Sequence, residues 1–257
     1  MKKGVLYIFH GSRLRDSREE AIHFFNEVKA SLPYEIQEIS FLELAKPTIE
    51  EGFASCFAKG AAHIAVIPVL LLAAGHAKQD IPAILSTLQT NYPEAMISYG
   101  MPFGVDELML EAVEDRIKRV LNRPKKSRMI LIGRGSRDVE MQQDFLTIGR
   151  MLEERLEVPV TCCYLTAASP LFQDVVQSVP KMPEEEIIFV PYLLFTGLLL
   201  KGVQKEIEQL QRVTNKKIML TDHIGNHSAV KELLRVRVEE AFAARAENKY
   251  LKKETVL

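Results

Sequence analysis

The chain has 257 residues, 47% of them hydrophobic and 26% charged, with a formal net charge of −1. That is length enough for one large domain or two of about 120–130 residues, at the composition of an ordinary globular protein. The charge balance offers no basic excess for nucleic acid and no Lys/Arg block for an anionic membrane. The opening Met1-Lys2-Lys3-Gly4-Val5 runs into an apolar segment too short for a signal-peptide core, and nothing approaches the roughly 18 continuous apolar residues of a membrane helix. The expected setting is the cytoplasm. Cys56, Cys162 and Cys163 show no CxxC spacing and are expected as reduced, buried thiols, not as metal ligands.

Residues 5–9 read as a short apolar strand that ends in the turn His10-Gly11-Ser12. A helix follows over about 17–31, with Ile22, Phe25 and Val28 on its apolar face. A second strand covers about 35–42, and Pro47 is expected in the first turn of the next helix, where its missing N–H costs nothing. The unbroken apolar run 64–72 suits a parallel strand buried on both faces. A helix, a fourth strand at about 95–100 and a last helix at about 105–121 complete this half. The segment 122–127 reads as a linker. The same order then returns, with strands at about 129–132, 158–165, 187–195 and 217–221, and helices at about 139–156 and 229–249. Pro170 stands where Pro47 stood.

The second half is a copy of the first. Gly11-Ser12-Arg13 recurs as Gly135-Ser136-Arg137, 124 positions later. Pro47 recurs as Pro170, and Pro68-Val69-Leu70-Leu71 as Pro191-Tyr192-Leu193-Leu194, both 123 positions later. Collinear matches at one long spacing mean duplicated domains and exclude a solenoid of short repeats. Alternating strand and helix makes each copy a doubly wound parallel sheet of the α/β class. The expected domains are 1–122, carrying the chemistry, and 127–257, forming the other wall of a cleft.

In such sheets, sites form beyond the carboxyl ends of the strands. That rule selects His10, Ser12 and Arg13 after the first strand and Glu43 after the second. It adds the loop 73–78 with His76 after the third strand, and Pro102 and Gly104 after the fourth. Two imidazoles and a carboxylate at one rim suit borderline divalent metals such as Fe²⁺, Co²⁺, Ni²⁺ and Zn²⁺, and three ligands leave positions open for an incoming group. The same groups are bases near neutral pH. In the second copy Arg134 replaces His10, Thr166 replaces Glu43, and Leu199 falls near His76. The second half therefore lacks the ligand set, while Arg134 and Arg137 suit carboxylates. The Gly-Ser turns read either as plain strand-to-helix turns or as donors to carboxylates through helix-start N–H groups. His23 and His63 read as structural; His223 and His227, after the last strand of the second copy, are left open. No GxGxxG is present, so no nucleotide cofactor is expected.

Three stretches together resemble the class II chelatase family that acts on sirohydrochlorin. They are His10-Gly11-Ser12, Phe41-Leu42-Glu43-Leu44 with Pro47, and Pro68-Val69-Leu70-Leu71 with Gly75-His76. Nearly the whole chain is similar to the long, duplicated form of that family. The resemblance implies a lyase that inserts Fe²⁺ into sirohydrochlorin to make sirohaem. It implies metal binding and proton acceptance by His10 and His76, with Glu43 as their acidic partner. The small-molecule tetrapyrrole would lie between the lobes, its carboxylates held by Ser12, Arg13, Arg134, Ser136 and Arg137. The family also contains cobalt chelatases of cobalamin synthesis. The ending Lys252-Lys253-Glu254-Thr255-Val256-Leu257 has neither the His-rich stretch nor the cysteine motif of many long members, which favours iron. The expectation is a monomer, with a dimer as the alternative, acting without nucleic acid or membrane. The rival readings are a metal-dependent hydrolase, a two-lobed ligand-binding protein, and a metal or tetrapyrrole carrier without turnover.

Overall fold

The structure, a computed structural model, describes residues 1–121 and 126–244. The first copy of the repeat contains β1 (Lys3–Phe9), α1 (Arg15–Ser31), β2 (Ile36–Phe41), α2 (Ile49–Ala58), β3 (His63–Val69), α3 (Ile81–Asn91), β4 (Met96–Tyr99) and α4 (Glu107–Lys118). The second contains β5 (Ser127–Gly133), α5 (Val139–Leu156), β6 (Val160–Tyr164), α6 (Phe172–Ser178), β7 (Glu186–Pro191), α7 (Leu198–Val213), β8 (Lys217–Leu220) and α8 (Ser228–Ala243). Most of the expected linker, and the basic tail beyond 244, lie outside the described residues. Among those residues, no helix is long and apolar enough to cross a membrane.

The strands form two parallel sheets, ordered β2-β1-β3-β4 and β6-β5-β7-β8, as the alternation of strand and helix predicts. β1 is central, and Val5 to Phe9 are at most 2% exposed because helices cover both faces. On one face Leu6, Ile8, Ile64 and Val66 pack with Phe53 of α2 and Leu85 of α3. On the other, Tyr7 meets Phe25 and Phe9 meets Phe24 of α1, edge to face. In the second sheet Ile130, Ile132 and Phe189 pack with Phe172, Val203 and Ile207.

Two local expectations are corrected. Pro47 does not begin α2. Thr48 caps that helix in a reciprocal box, its hydroxyl accepting from Glu51 N–H at 3.2 Å while the Glu51 carboxylate accepts from Thr48 N–H at 2.8 Å. Pro47, after a cis bond, instead gives its carbonyl to Phe41 N–H at 2.8 Å; Pro170, also cis, does the same for Tyr164 N–H at 3.0 Å. The apolar runs 64–72 and 187–195 are strand only to Val69 and Pro191. The ladder stops because β1 ends at Phe9, the partner of Val69, and the remaining apolar residues leave the sheet as loop.

The boundaries 1–122 and 127–257 describe the duplication but not the packing. One compact unit is Met1–Gly104 with the chain from Lys231, and the other is Val105–Val230. The last helix of each copy has changed company, and its polar contacts show where it packs. In the first unit α8 pairs Lys231 with Glu27 at 2.9 Å, Glu239 accepts from the Tyr34 hydroxyl at 3.0 Å, and Arg237 donates to the carbonyls of Pro102 and Phe103 at 3.1 and 2.6 Å. In the second, Arg155 of α5 pairs with Glu107 and Glu114 of α4, and His227 meets Asp115 of α4 at 3.2 Å.

The turn after each first strand is built the same way. Gly11 has φ +95°, and a Cβ there would lie 1.8 Å from the Glu43 carbonyl oxygen; Gly135 has φ +93° and the same 1.8 Å overlap with Thr166. Gly60 has φ +88° but nothing within 4 Å of an added Cβ. Gly60→Ala should therefore cost only the left-handed backbone penalty, roughly 1–2 kcal/mol. Gly135→Ala adds a hard overlap and should cost at least about 3 kcal/mol. Urea unfolding of the two variants would compare them, and equal losses would show that the loop yields without cost.

Candidate metal centre

In the order β2-β1-β3-β4 the chain leaves β1 toward one edge for β2 and returns to its other side for β3. Parallel sheets open a crevice at such a switch point, beyond the carboxyl ends of the two strands. His10 follows β1 and the loop with His76 follows β3, so both face that point by topology. Glu43 is added by an extension of the β1–β2 ladder past the last strand residues. Leu42 N–H donates to Phe9 C=O at 2.8 Å, and Glu43 N–H donates to His10 C=O at 3.1 Å. The absent Gly11 side chain makes room for the Glu43 carbonyl.

The loop after β3 ends in a single π-turn, His76–Asp80, that runs into α3; Ile81 N–H donates to His76 C=O across it. Ala77 in this turn is fully buried, and its carbonyl accepts from the Tyr99 hydroxyl at 2.9 Å. The backbone carrying His76 is thereby tied to the end of β4.

These elements bring His10, Glu43 and His76 together, with one ligand atom from each inside 4.8 Å of the others. His10 Nε2 lies 3.4 Å from Glu43 Oε1, and the two imidazole rings meet edge to face with centroids 5.2 Å apart. His10 Nδ1 is 3.3 Å from Gly11 C=O. That carbonyl and the Glu43 carboxylate beside Nε2 both accept, so either ring nitrogen has a partner for the proton, and binding a metal through Nε2 leaves it on Nδ1. His76 Nδ1 is 2.7 Å from Asp80 Oδ2, which places its proton on Nδ1 and its lone pair on Nε2. Bonds of about 2.1 Å at tetrahedral angles would set donors roughly 3.4 Å apart, so small side-chain rotations would bring all three onto one ion. The side chains of His10, His76 and Glu43 keep 28%, 36% and 45% of their surface, so an ion in transit can reach them.

The other expected residues fall into place less uniformly. Ser12 and Ser136 each accept from the N–H two residues on, Leu14 and Asp138, both at 3.1 Å. They close strand-to-helix turns and keep a hydroxyl hydrogen to donate. Arg13, Arg134 and Arg137 are exposed. The second copy reproduces the backbone of the site, with Thr166 N–H on Arg134 C=O at 3.0 Å, but not its ligands. Pro102 and the loop around it are held by Arg237. His227 is structural: its Nδ1 accepts from Ala229 N–H at 3.2 Å at the start of α8, and Nε2 donates to Asp115. His63 opens β3 against the Ser98 hydroxyl, and His23 lies on the α1 surface beside Glu27. The cysteines are free thiols; burial pushes Cys56 and Cys163 up to about 12 and Cys162 to about 11, which keeps them protonated and poor ligands at neutral pH. Sequence reasoning missed Asp80. Its signal was only the i,i+4 spacing from His76 at the mouth of a helix.

A CbiX family model matches residues 4–120 and 128–241, one match per copy. The chain is 41% identical over 251 residues to sirohydrochlorin ferrochelatase of Bacillus subtilis (strain 168), covering 97% of this chain and 95% of that protein. It is 31% identical over 245 residues to a sirohydrochlorin cobaltochelatase of Priestia megaterium, covering 93% and 79%. The solved structure of SirB from Bacillus subtilis with Fe³⁺ aligns with a TM-score of 0.86 at 41% identity, over 94% of this chain and 96% of that one. With both copies of its repeat matched, the chain belongs to the CbiX family.

Proposed function

We propose that this chain is a sirohydrochlorin ferrochelatase, a lyase that inserts Fe²⁺ into sirohydrochlorin to give sirohaem. The observation that carries the reading is the open group His10–Glu43–His76 at the switch point of the first sheet. It stands in a member of a family whose similar proteins are named for this reaction. Iron is favoured over cobalt because the ferrochelatase relative is more similar, and over a longer share of its own length, than the cobaltochelatase. The metal is a substrate, and the site must release what it binds. Two imidazoles and one carboxylate, all partly exposed, suit that task better than a closed four-ligand site.

His10 and His76 replace water on the arriving ion through Nε2, and Glu43 offsets its charge. The macrocycle gives up two pyrrole protons as one dication enters, so net charge is conserved. His10 and Glu43, 3.4 Å apart, form a pair that can accept a proton once the ion moves on. Ser12, Arg13, Arg134, Ser136 and Arg137 are assigned as donors to carboxylates of the substrate. No nucleotide takes part. The chain is assigned to the cytoplasm as a monomer, without nucleic-acid or membrane partners.

Anaerobic insertion of Fe²⁺ and Co²⁺ into sirohydrochlorin, followed by visible absorbance, tests the reading. Wild type should turn over many times with iron, and His10→Ala should fall at least about 100-fold with an unchanged unfolding midpoint. A preference for cobalt would transfer the assignment to cobalamin synthesis, and a static spectral shift without turnover would make the chain a carrier. Arg134→Ala should raise the KM for the tetrapyrrole about tenfold and leave kcat within a factor of about two. A fall in kcat at unchanged KM would remove Arg134 from substrate binding.

A further inference from the structure

We infer that Asp80 is a positioning residue of the metal site, acting through His76. The inference rests on the reading of His10, Glu43 and His76 as the group that receives the metal.

His76 is carried by a loop outside the sheet. It sits at the first residue of a single π-turn, after a loop that has left the sheet, and its ring is partly exposed. Two contacts restrain it. The Tyr99 hydroxyl bonds to the neighbouring Ala77 carbonyl and holds the backbone. Asp80 Oδ2 bonds to Nδ1 at 2.7 Å and holds the ring. A carboxylate accepts only, so this bond places the proton on Nδ1 and the lone pair on Nε2. It also makes the imidazole a stronger electron donor, as hydrogen-bonded partners of metal-bound histidines generally do.

The π-turn matters to the pairing. It carries an extra residue in its hydrogen-bonded ring, with His76 C=O accepting from Ile81 N–H, and both partners lie within this one turn. At His10 the partner of Nδ1 is a backbone carbonyl at 3.3 Å, a longer and uncharged contact. The two Nδ1 atoms thus have different kinds of partner, and the one on His76 can be removed by changing a side chain. The pair differs from a surface ion pair such as Arg15–Glu19 because one of its members is a ligand of the site.

Three measurements on Asp80→Ala and Asp80→Asn test this. Titration with Co²⁺ alone, read by its visible absorption, should show binding weakened about 10–100-fold in Asp80→Ala. Asp80→Asn keeps an acceptor without the charge and should fall between Asp80→Ala and wild type. Long-range ¹⁵N–¹H spectra should show the Nδ1-protonated form of His76 in wild type and a mixture in Asp80→Ala. In the insertion assay the KM for the metal should rise while that for the tetrapyrrole stays constant, a split that general loss of structure would not give. His10→Ala and His76→Ala serve in the same Co²⁺ titration. If they lose Co²⁺ binding and Asp80→Ala binds within twofold of wild type, the role of Asp80 is overturned and the metal site stands. If none of the three changes Co²⁺ binding, both are overturned.

Discussion

The site depends on one close approach of backbone to backbone. The Gly11 α-carbon lies so near the Glu43 carbonyl that a methyl group would overlap it, and this contact continues the β1–β2 ladder beyond the strands. Without it Glu43 would not be carried up beside His10, and the carboxylate would have no fixed relation to the imidazoles. Everything else at the centre is added to that frame: His76 arrives from the far side of β1 on the β3 loop, and Tyr99 ties the loop down. The frame does not depend on the ligands it holds, since the second copy keeps it at Gly135 and Thr166 with none of them. A backbone constraint of this kind survives changes of side chain because it asks only for a glycine and a carbonyl.

Much of this was readable beforehand, for definite reasons. The duplication showed as constant spacing between Gly11 and Gly135 and between Pro47 and Pro170. The strands showed as apolar runs because they are buried on both faces. His10, Glu43 and His76 could be grouped because the carboxyl-end rule needs only strand order. Strand ends were misjudged at 64–72 because an apolar residue in a covered loop looks like one in a sheet; only the length of the neighbour β1 decides where pairing stops. Pro47 was misplaced because a proline before a helix and a proline in its first turn differ by two residues, and the capping box at Thr48 settles which it is.

Two features were out of reach. Asp80 is one of many acidic residues four positions from a histidine or a base, and nothing in the letters marks the π-turn that holds the pair. The exchange of last helices was equally hidden. An amphipathic pattern tells which face of α4 or α8 is apolar, but not which sheet that face will cover.

That exchange has a consequence for how the polypeptide can be divided. A break in the segment between α4 and β5 would not yield two self-sufficient pieces. The amino-terminal piece would carry α4, which belongs with the partner's sheet, and lack α8; the carboxy-terminal piece would have the reverse deficit. Each would expose the apolar surface that its missing helix covers, and each would hold the helix the other needs. Such pieces should complement one another in trans, as reciprocally swapped protomers do, and the covalent link in the intact chain turns that association into an intramolecular event.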